Sequence, residues 1–312
     1  MKQVIVTTSI NGPTEAIRKF AEMECWQLVD VLDRKSPEEI GGDKLVNTIY
    51  LSCDDQEKMD RKLSDLIGWN CIQRRNFGFL YAIKELKSDI VATVDDDNIP
   101  NAGWGTNVMI GKDTEAFGVD CKSDCFDPVG FASDNVSTLW HRGFPIQLLA
   151  ERTQHFSPTM QTINADVQAD FWNGDPDIDA ICRMEHAPNN WWFPSYRFPF
   201  FSNKPSPFNS QNTFLKAAVL PHYFMFPGVG RMDDIWAAYH VEAQGFKVIY
   251  GKPSVTQKRN DHDLTKDFMA EIQGYAKAIE IVREIPSNKN AVLKRLPDRS
   301  LEAFHRYQEL IS

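Results

Sequence analysis

Apolar residues fall along the chain in two alternating rhythms. Short β-rich runs (QVIVTT from Gln3, WQLVDVLD from Trp26, NTIYLS from Asn47 and DIVATV from Asp89) are set apart by stretches with apolar positions at i, i+3, i+4 and i+7. TEAIRKFAEM, DDQEKMDRKLSDLI and NFGFLYAIKELK carry the second rhythm, and Thr14 stands ahead of the first as an N-cap. Strand and helix alternating in this way predict an α/β fold with a mostly parallel sheet flanked by helices. Further on, RMDDIWAAYHVEAQG predicts a helix ended by Gly245, FKVIYG one more strand, and Leu264 to Arg283 an amphipathic helix. Between 105 and 215 both rhythms fail. Aromatic residues, Pro and Asn dominate there (NNWWFPSYRFPFFSNKPSPFNSQNT), a composition that builds binding loops. The pattern divides the chain into a main domain, 1–263, with halves 1–104 and 105–263, and a C-terminal helical appendage, 264–312.

In sheets of this kind ligands bind beyond the carboxyl ends of the strands. Thr8 and Ser9 close the first strand, Asp33 the second, and Asp95, Asp96 and Asp97 follow DIVATV directly. Three adjacent carboxylates repel one another, and a divalent cation carrying a diphosphate offsets that repulsion with hard oxygen ligands. An acidic turn that caps the next element would be written with the same letters. Arg75 and Asn76 stand at a helix start as an anion clamp, and Gly78 allows close backbone approach. Asp233 and Asp234 follow a Gly-x-Gly turn at another helix start, where first-turn acids are ordinary. His262 lies between Asp261 and Asp263 just past the last strand. WNGDPDIDA carries Asp175, Asp177 and Asp179, either a turn or a set of acceptors for sugar hydroxyls. Asn209, Gln211 and Asn212 offer uncharged amides for the same purpose, and Trp191, Trp192, Tyr196 and Phe198 either stack an acceptor or simply pack.

A net charge of −9 and no Lys/Arg run longer than two residues argue against a broad nucleic-acid footprint. No apolar run approaches a membrane span, and the N-terminus reads as a strand and not as a signal peptide. Six Cys include one CxxxC, Cys121 and Cys125, without the second pair a zinc site needs, so reduced thiols and a cytoplasmic location are expected.

The set of pieces IVTTSINGPTEAIRKFAEMECWQLV, RRNFGFLYAI, VDDDN, FWNGDPDIDAICRM, PFNSQNTFL, GRMDDIWAAYHVEAQG and QKRNDHDLTKDF, in order over nearly the whole chain, resembles the GT-A glycosyltransferases. More narrowly it looks like the STELLO-type glycosyltransferases, and distantly like the reversibly glycosylated polypeptides that act as UDP-arabinopyranose mutases. The plant Golgi members carry a membrane anchor that this sequence does not show, so their location and partners are not carried over. The resemblance implies a GT-A, Rossmann-like domain whose 1–104 half binds nucleotide and whose 105–263 half holds the acceptor. It implies that Thr7, Thr8, Ser9 and Asp33 surround the nucleoside, with Arg75 and Asn76 near the diphosphate. Asp95 would face the ribose or sugar, Asp96 would act through water or on the sugar, and Asn212 would join them. Asp97 and His262 would hold Mn²⁺ or Mg²⁺. Asp175, Asp177, Asn209 and Gln211 would meet donor or acceptor sugar, and Asp234, with Asp233 second, would be the base.

The implied function is metal-dependent, inverting transfer of a hexosyl or pentosyl unit from a nucleotide sugar, UDP-linked by expectation, to a hydroxyl of a glycan, protein, lipid or modified nucleobase. A UDP-sugar pyranose/furanose mutase and a non-catalytic nucleotide-sugar-binding scaffold are the alternatives.

Overall fold

The computed structural model describes residues 1–10, 12–37, 45–133, 138–152, 156–188, 190–258 and 263–312. The first third is β1 (Gln3–Ser9), α1 (Glu15–Ala21), β2 (Gln27–Leu32), β3 (Thr48–Leu51), α2 (Cys53–Met59), α3 (Arg61–Ile67), α4 (Arg75–Lys84) and β4 (Ile90–Val94). Thr14 caps α1 as expected, its hydroxyl accepting from the Ile17 N–H at 3.2 Å. The stretch DDQEKMDRKLSDLI divides at Asp60, which ends α2 and caps α3 by accepting from the Leu63 N–H. Then come β5 (Asn98–Pro100), β6 (Asp113–Asp120), α5 (Pro128–Ala132), β7 (Ser157–Asn164), β8 (Val167–Gly174), α6 (Ala180–His186), β9 (Phe200–Phe201), β10 (Asn212–Lys216), α7 (Asp233–Ala243), β11 (Val248–Gln257), α8 (Leu264–Glu284) and α9 (Asp298–Ile311).

The strands form one sheet in the order β3-β2-β1-β4-β10-β8-β11-β9-β6-β7, with β5 added beside β11. The first four strands are mutually parallel, as the alternating pattern predicts. Beyond β4 the sheet is mixed: β10 runs antiparallel to both β4 and β8, whereas β11 is parallel to β8. That reversal matters for the site. The residues just before β10 and the ends of β8 and β11 all arrive at the carboxyl edge of β1, β2 and β4.

β4 is buried at every position, as a strand covered on both faces must be. α4 lies so close to the sheet that a Cβ on Gly78 would sit 2.3 Å from Val6 Cγ1 and 2.8 Å from Val31 Cγ2. The close approach at Gly78 is therefore to β1 and β2. On the opposite face Phe20, Trp26, Trp104 and Phe214 pack edge-on and tilted, with centroids 4.9–5.6 Å apart, and fasten the loop after β5. At the C-terminus α9 packs on α3 and α4, while α8 packs on α6 and on the turn that leads into α7. Among the described residues no helix is long and apolar enough to cross a membrane.

Candidate active site

A cleft with two lobes opens at the carboxyl edge of the sheet. The first lobe, about 340 Å³, is lined by Thr8, Ser9, Asp33, Arg75 and the three consecutive Asp residues, with Ile10, Val31 and Ile72 as apolar wall. The second, about 420 Å³, is lined by Gln73, Arg142, Asp177, Ser210, Gln211, Arg231, Asp233, Asp234 and Gln257. Asp95, Asp97, Cys71 and Ile72 border both lobes, so the two are one continuous space.

Arg75 anchors the first lobe. It is 1% exposed, and its guanidinium donates to Asp95 Oδ1 at 2.8 Å, Thr8 Oγ1 at 3.2 Å and the Ser210 carbonyl at 3.1 Å. The three carboxylates do not converge on one point. Asp95 turns to Arg75, Asp96 accepts from the Ser9 hydroxyl at 3.1 Å, and Asp97 meets Gln257 Nε2 at 3.3 Å. Burial, then the charge of Asp95, pushes the Asp96 carboxyl up. Behind it Asp30, 1% exposed and with Oδ1 unpartnered, is pushed up to about 7 by burial and by Asp96. Asp33 lines the lobe while fixing its rim: it accepts the N–H groups of Arg34, Asn70 and Cys71 at 2.6–3.0 Å.

In the second lobe, Arg142 is the organising cation. Its Nε donates to both Asp177 oxygens at 3.1–3.2 Å, and its two terminal nitrogens grip Asp234 at 2.8 and 2.9 Å. Burial works against the Arg142 charge, but Asp177 and Asp234 outweigh it and hold the group far above its ordinary value. Asp234 also accepts from the Ser210 N–H at 3.0 Å, so its oxygens are fully engaged. Asp233 is held differently. Gln73 Nε2 donates to its Oδ2 at 2.8 Å, and burial followed by the Asp234 charge lifts its carboxyl to about 7. The two acids are thus held differently: Asp234 is committed to Arg142 and the Ser210 N–H, and Asp233 to the uncharged Gln73 amide.

Several expected residues lie elsewhere. Thr7 is fully buried, on the sheet face opposite Thr8, because successive side chains of a strand alternate. The Asn76 amide pairs in both directions with the Met225 backbone at 2.9 Å. Asn212 is spent on Trp104, Ser254 and the Phe171 carbonyl. Neither amide reaches the cleft. Asp175 pairs with Arg183 at 2.6 Å and Asn209 donates to Asp177 at 2.9 Å, so both support the cleft from outside its lining. His262, with Asp261, lies outside the described residues.

Among the described residues no three His, Cys, Asp or Glu side chains are grouped to hold a metal by themselves. A hard divalent cation needs less than that when a diphosphate is present, since it binds through one or two carboxylates plus phosphate oxygens and water. Asp97, at the junction of the lobes, fits such an ion.

The chain is 21% identical over 189 residues, 57% of its length, to "Probable glycosyltransferase STELLO1" and, to the same extent, "STELLO2" of Arabidopsis thaliana. The likeness over that stretch is to proteins described as glycosyltransferases. The match spans about a quarter of the length of these STELLO relatives, 24% of each. No protein-family model matches. Among solved structures, a mannosyltransferase of Pyrobaculum calidifontis in complex with GDP-Man and Mn²⁺ covers 99% of the chain and is itself covered over 69%, at 11% identity and a TM-score of 0.43.

The cleft residues that the sequence pattern did not mark are Arg142, Gln73, Ser210 and Gln257. Arg142 sits in the irregular stretch WHRGFP, where no periodicity marks it. Ser210 lies between two amides that were singled out.

Proposed function

We propose that the first lobe binds a nucleotide sugar, the second holds an acceptor hydroxyl, and the chain transfers the sugar between them. One observation carries this reading. A buried arginine in one lobe and a buried carboxylate lifted toward neutrality in the other face a single cleft joined at Asp95 and Asp97. The relationship to the STELLO glycosyltransferases supports it. In this reading 1–104 supplies the nucleotide half and 105–263 most of the acceptor half.

The apolar wall of Ile10, Val31 and Ile72 suits the flat face of a base, uracil by preference. Thr8, Ser9 and the Lys35 ammonium offer polar contacts at the rim. Arg75 faces the charge that grows on the departing diphosphate; a preorganised donor of this kind is worth more in the transition state than in the ground state. Asp97 would be the ligand of Mn²⁺ or Mg²⁺, an ion that when bound offsets diphosphate charge. Asp233 accepts the proton of an acceptor hydroxyl, held in place by Gln73. Attack from the side of that base, opposite the leaving diphosphate, inverts the anomeric centre. Asp234, Asp177 and Arg142 form the rigid floor that keeps Asp233 aimed.

Incubation of the chain with UDP- and GDP-linked hexoses and pentoses, Mn²⁺ and a panel of hydroxyl acceptors tests the reading. Release of nucleoside diphosphate with a new glycoside of inverted configuration is expected. Ring-isomerised nucleotide sugar in place of a glycoside would overturn transfer in favour of a mutase.

A further inference from the structure

Helix α8 lies at the back of the cleft wall and touches it through five of its residues. Glu271, 1% exposed, accepts from Arg231 Nε at 3.3 Å and from the Ala180 N–H at 2.9 Å. Asp267, one turn earlier, accepts from Arg231 Nη1 at 3.0 Å. The Tyr275 hydroxyl accepts from the Gly143 N–H at 2.8 Å and donates to Asp179 at 2.7 Å. The backbones themselves meet at Gly230, whose φ is +64°: a Cβ there would stand 1.8 Å from the Ala270 carbonyl oxygen, and one on Gly274 would stand 2.4 Å from Met232.

These contacts close a circuit around Asp233. The Arg231 carbonyl accepts from Arg142 Nη1, so the residue that α8 holds by its side chain holds Arg142 by its backbone. Tyr275 meanwhile fixes the residue next to Arg142. Arg142 grips Asp234, and Asp233 lies between Asp234 and the 230–232 turn. The position of the base therefore depends on α8 through two routes that meet at Arg142.

We propose that Glu271 is a positioning residue for the Asp233 segment, which makes the C-terminal helix part of the active site and not an appendage to it. The kinetic consequence rests on the glycosyl-transfer reading; the structural one does not. Glu271 is preferred over Asp267 because it is fully buried and joins Arg231 to the start of α6, so two elements lose their register when it changes.

The test is Glu271→Gln in the full chain, read by amide hydrogen exchange and by kinetics. Exchange in residues 228–236 is expected to rise about tenfold while β1 to β4 stay unchanged, a local opening and not a global one. With an active wild-type chain, kcat is expected to fall roughly 10- to 100-fold at unchanged KM for the nucleotide sugar. The double variant with Asp233→Asn should be no slower than Asp233→Asn alone, because residues acting as a unit are not additive. Unchanged exchange in 228–236 overturns the proposal, as does a rise spread over the whole sheet. Full additivity in the double variant overturns it too. Should Glu271→Gln fail to fold, Tyr275→Phe reads the same coupling at residues 141–144, and unchanged exchange there refutes it. An inactive wild-type chain would count against glycosyl transfer, and the exchange result would still decide the positioning role.

Discussion

Arg142 and Asp234 form a two-pronged ion pair, Nη1 to Oδ1 at 2.9 Å and Nη2 to Oδ2 at 2.8 Å, in the lining of the second lobe. The neighbour, Asp233, is met instead by the Gln73 amide, and burial and then the Asp234 charge lift its carboxyl to about 7. Asp233→Asn is therefore expected to lower transfer by about 10²- to 10⁴-fold, the usual worth of a general base, with nucleotide-sugar binding retained. Asp234→Asn is expected to act on stability first. Removing one member of a buried pair leaves Arg142 half compensated and costs roughly 3–5 kcal/mol. Paired melting curves and rate measurements separate the two; equal loss of stability in both variants would contradict the division of roles.

The same carboxyl sets the pH profile. A base works only when deprotonated, so kcat/KM should climb with pH through an acid limb near neutrality and level off above it. The limb belongs to Asp233 and should be absent from whatever activity remains in Asp233→Asn. A limb near 4, the ordinary carboxylate value, would show that some other group governs the rate.

Arg75 holds Asp95, Thr8 and the Ser210 carbonyl from one buried guanidinium. A lysine reaches one of these at a time and lacks the planar fork. Arg75→Lys is expected to weaken nucleoside diphosphate binding at least about tenfold by calorimetry, the scale of one charge-assisted contact. Unchanged affinity would place the diphosphate elsewhere.

Asp30 offers a stability test independent of function. Its folded carboxyl holds a proton to about 7, whereas the unfolded one releases it near the ordinary value of about 4. Between those two values folding takes up a proton, so this residue's contribution to stability declines as pH rises and stays low above 7. Asp30→Asn should melt with the parent near pH 4 and, at pH 8, melt higher by a stabilisation of roughly 1–3 kcal/mol. Identical shifts at both pH values would contradict the burial argument.

Much of the fold was legible because the strongest signals were local. QVIVTT and DIVATV form strands as apolar runs, α8 follows its amphipathic period, and α7 forms where expected although it is buried at nearly every position. β8 was missed because it is buried at every position yet carries Gln168, Asp170 and Asn173, polar letters that break the expected apolar run. The site was legible where the chain itself brings residues to a strand end, as at Thr8, Ser9, Asp33 and Asp95 to Asp97. It was not legible where tertiary partners decide. Asp233 and Asp234 look alike at a helix start, and only Arg142, distant in sequence, distinguishes them. Asn76 and Asn212 have the composition of ligands, but their amides substitute for backbone hydrogen bonds inside the fold.

The central claim is that a nucleotide sugar binds at the junction of the two lobes with a cation on Asp97. Thermal melting of the wild-type chain and of Asp97→Ala, with UDP- or GDP-sugars and with or without Mn²⁺, tests it most directly. The wild-type chain should gain about 2.7 kcal/mol at a hundredfold excess over Kd, only when Mn²⁺ is present, and Asp97→Ala should lose that gain. A wild-type chain that no nucleotide sugar stabilises, or an Asp97→Ala chain stabilised to the same degree, would contradict it.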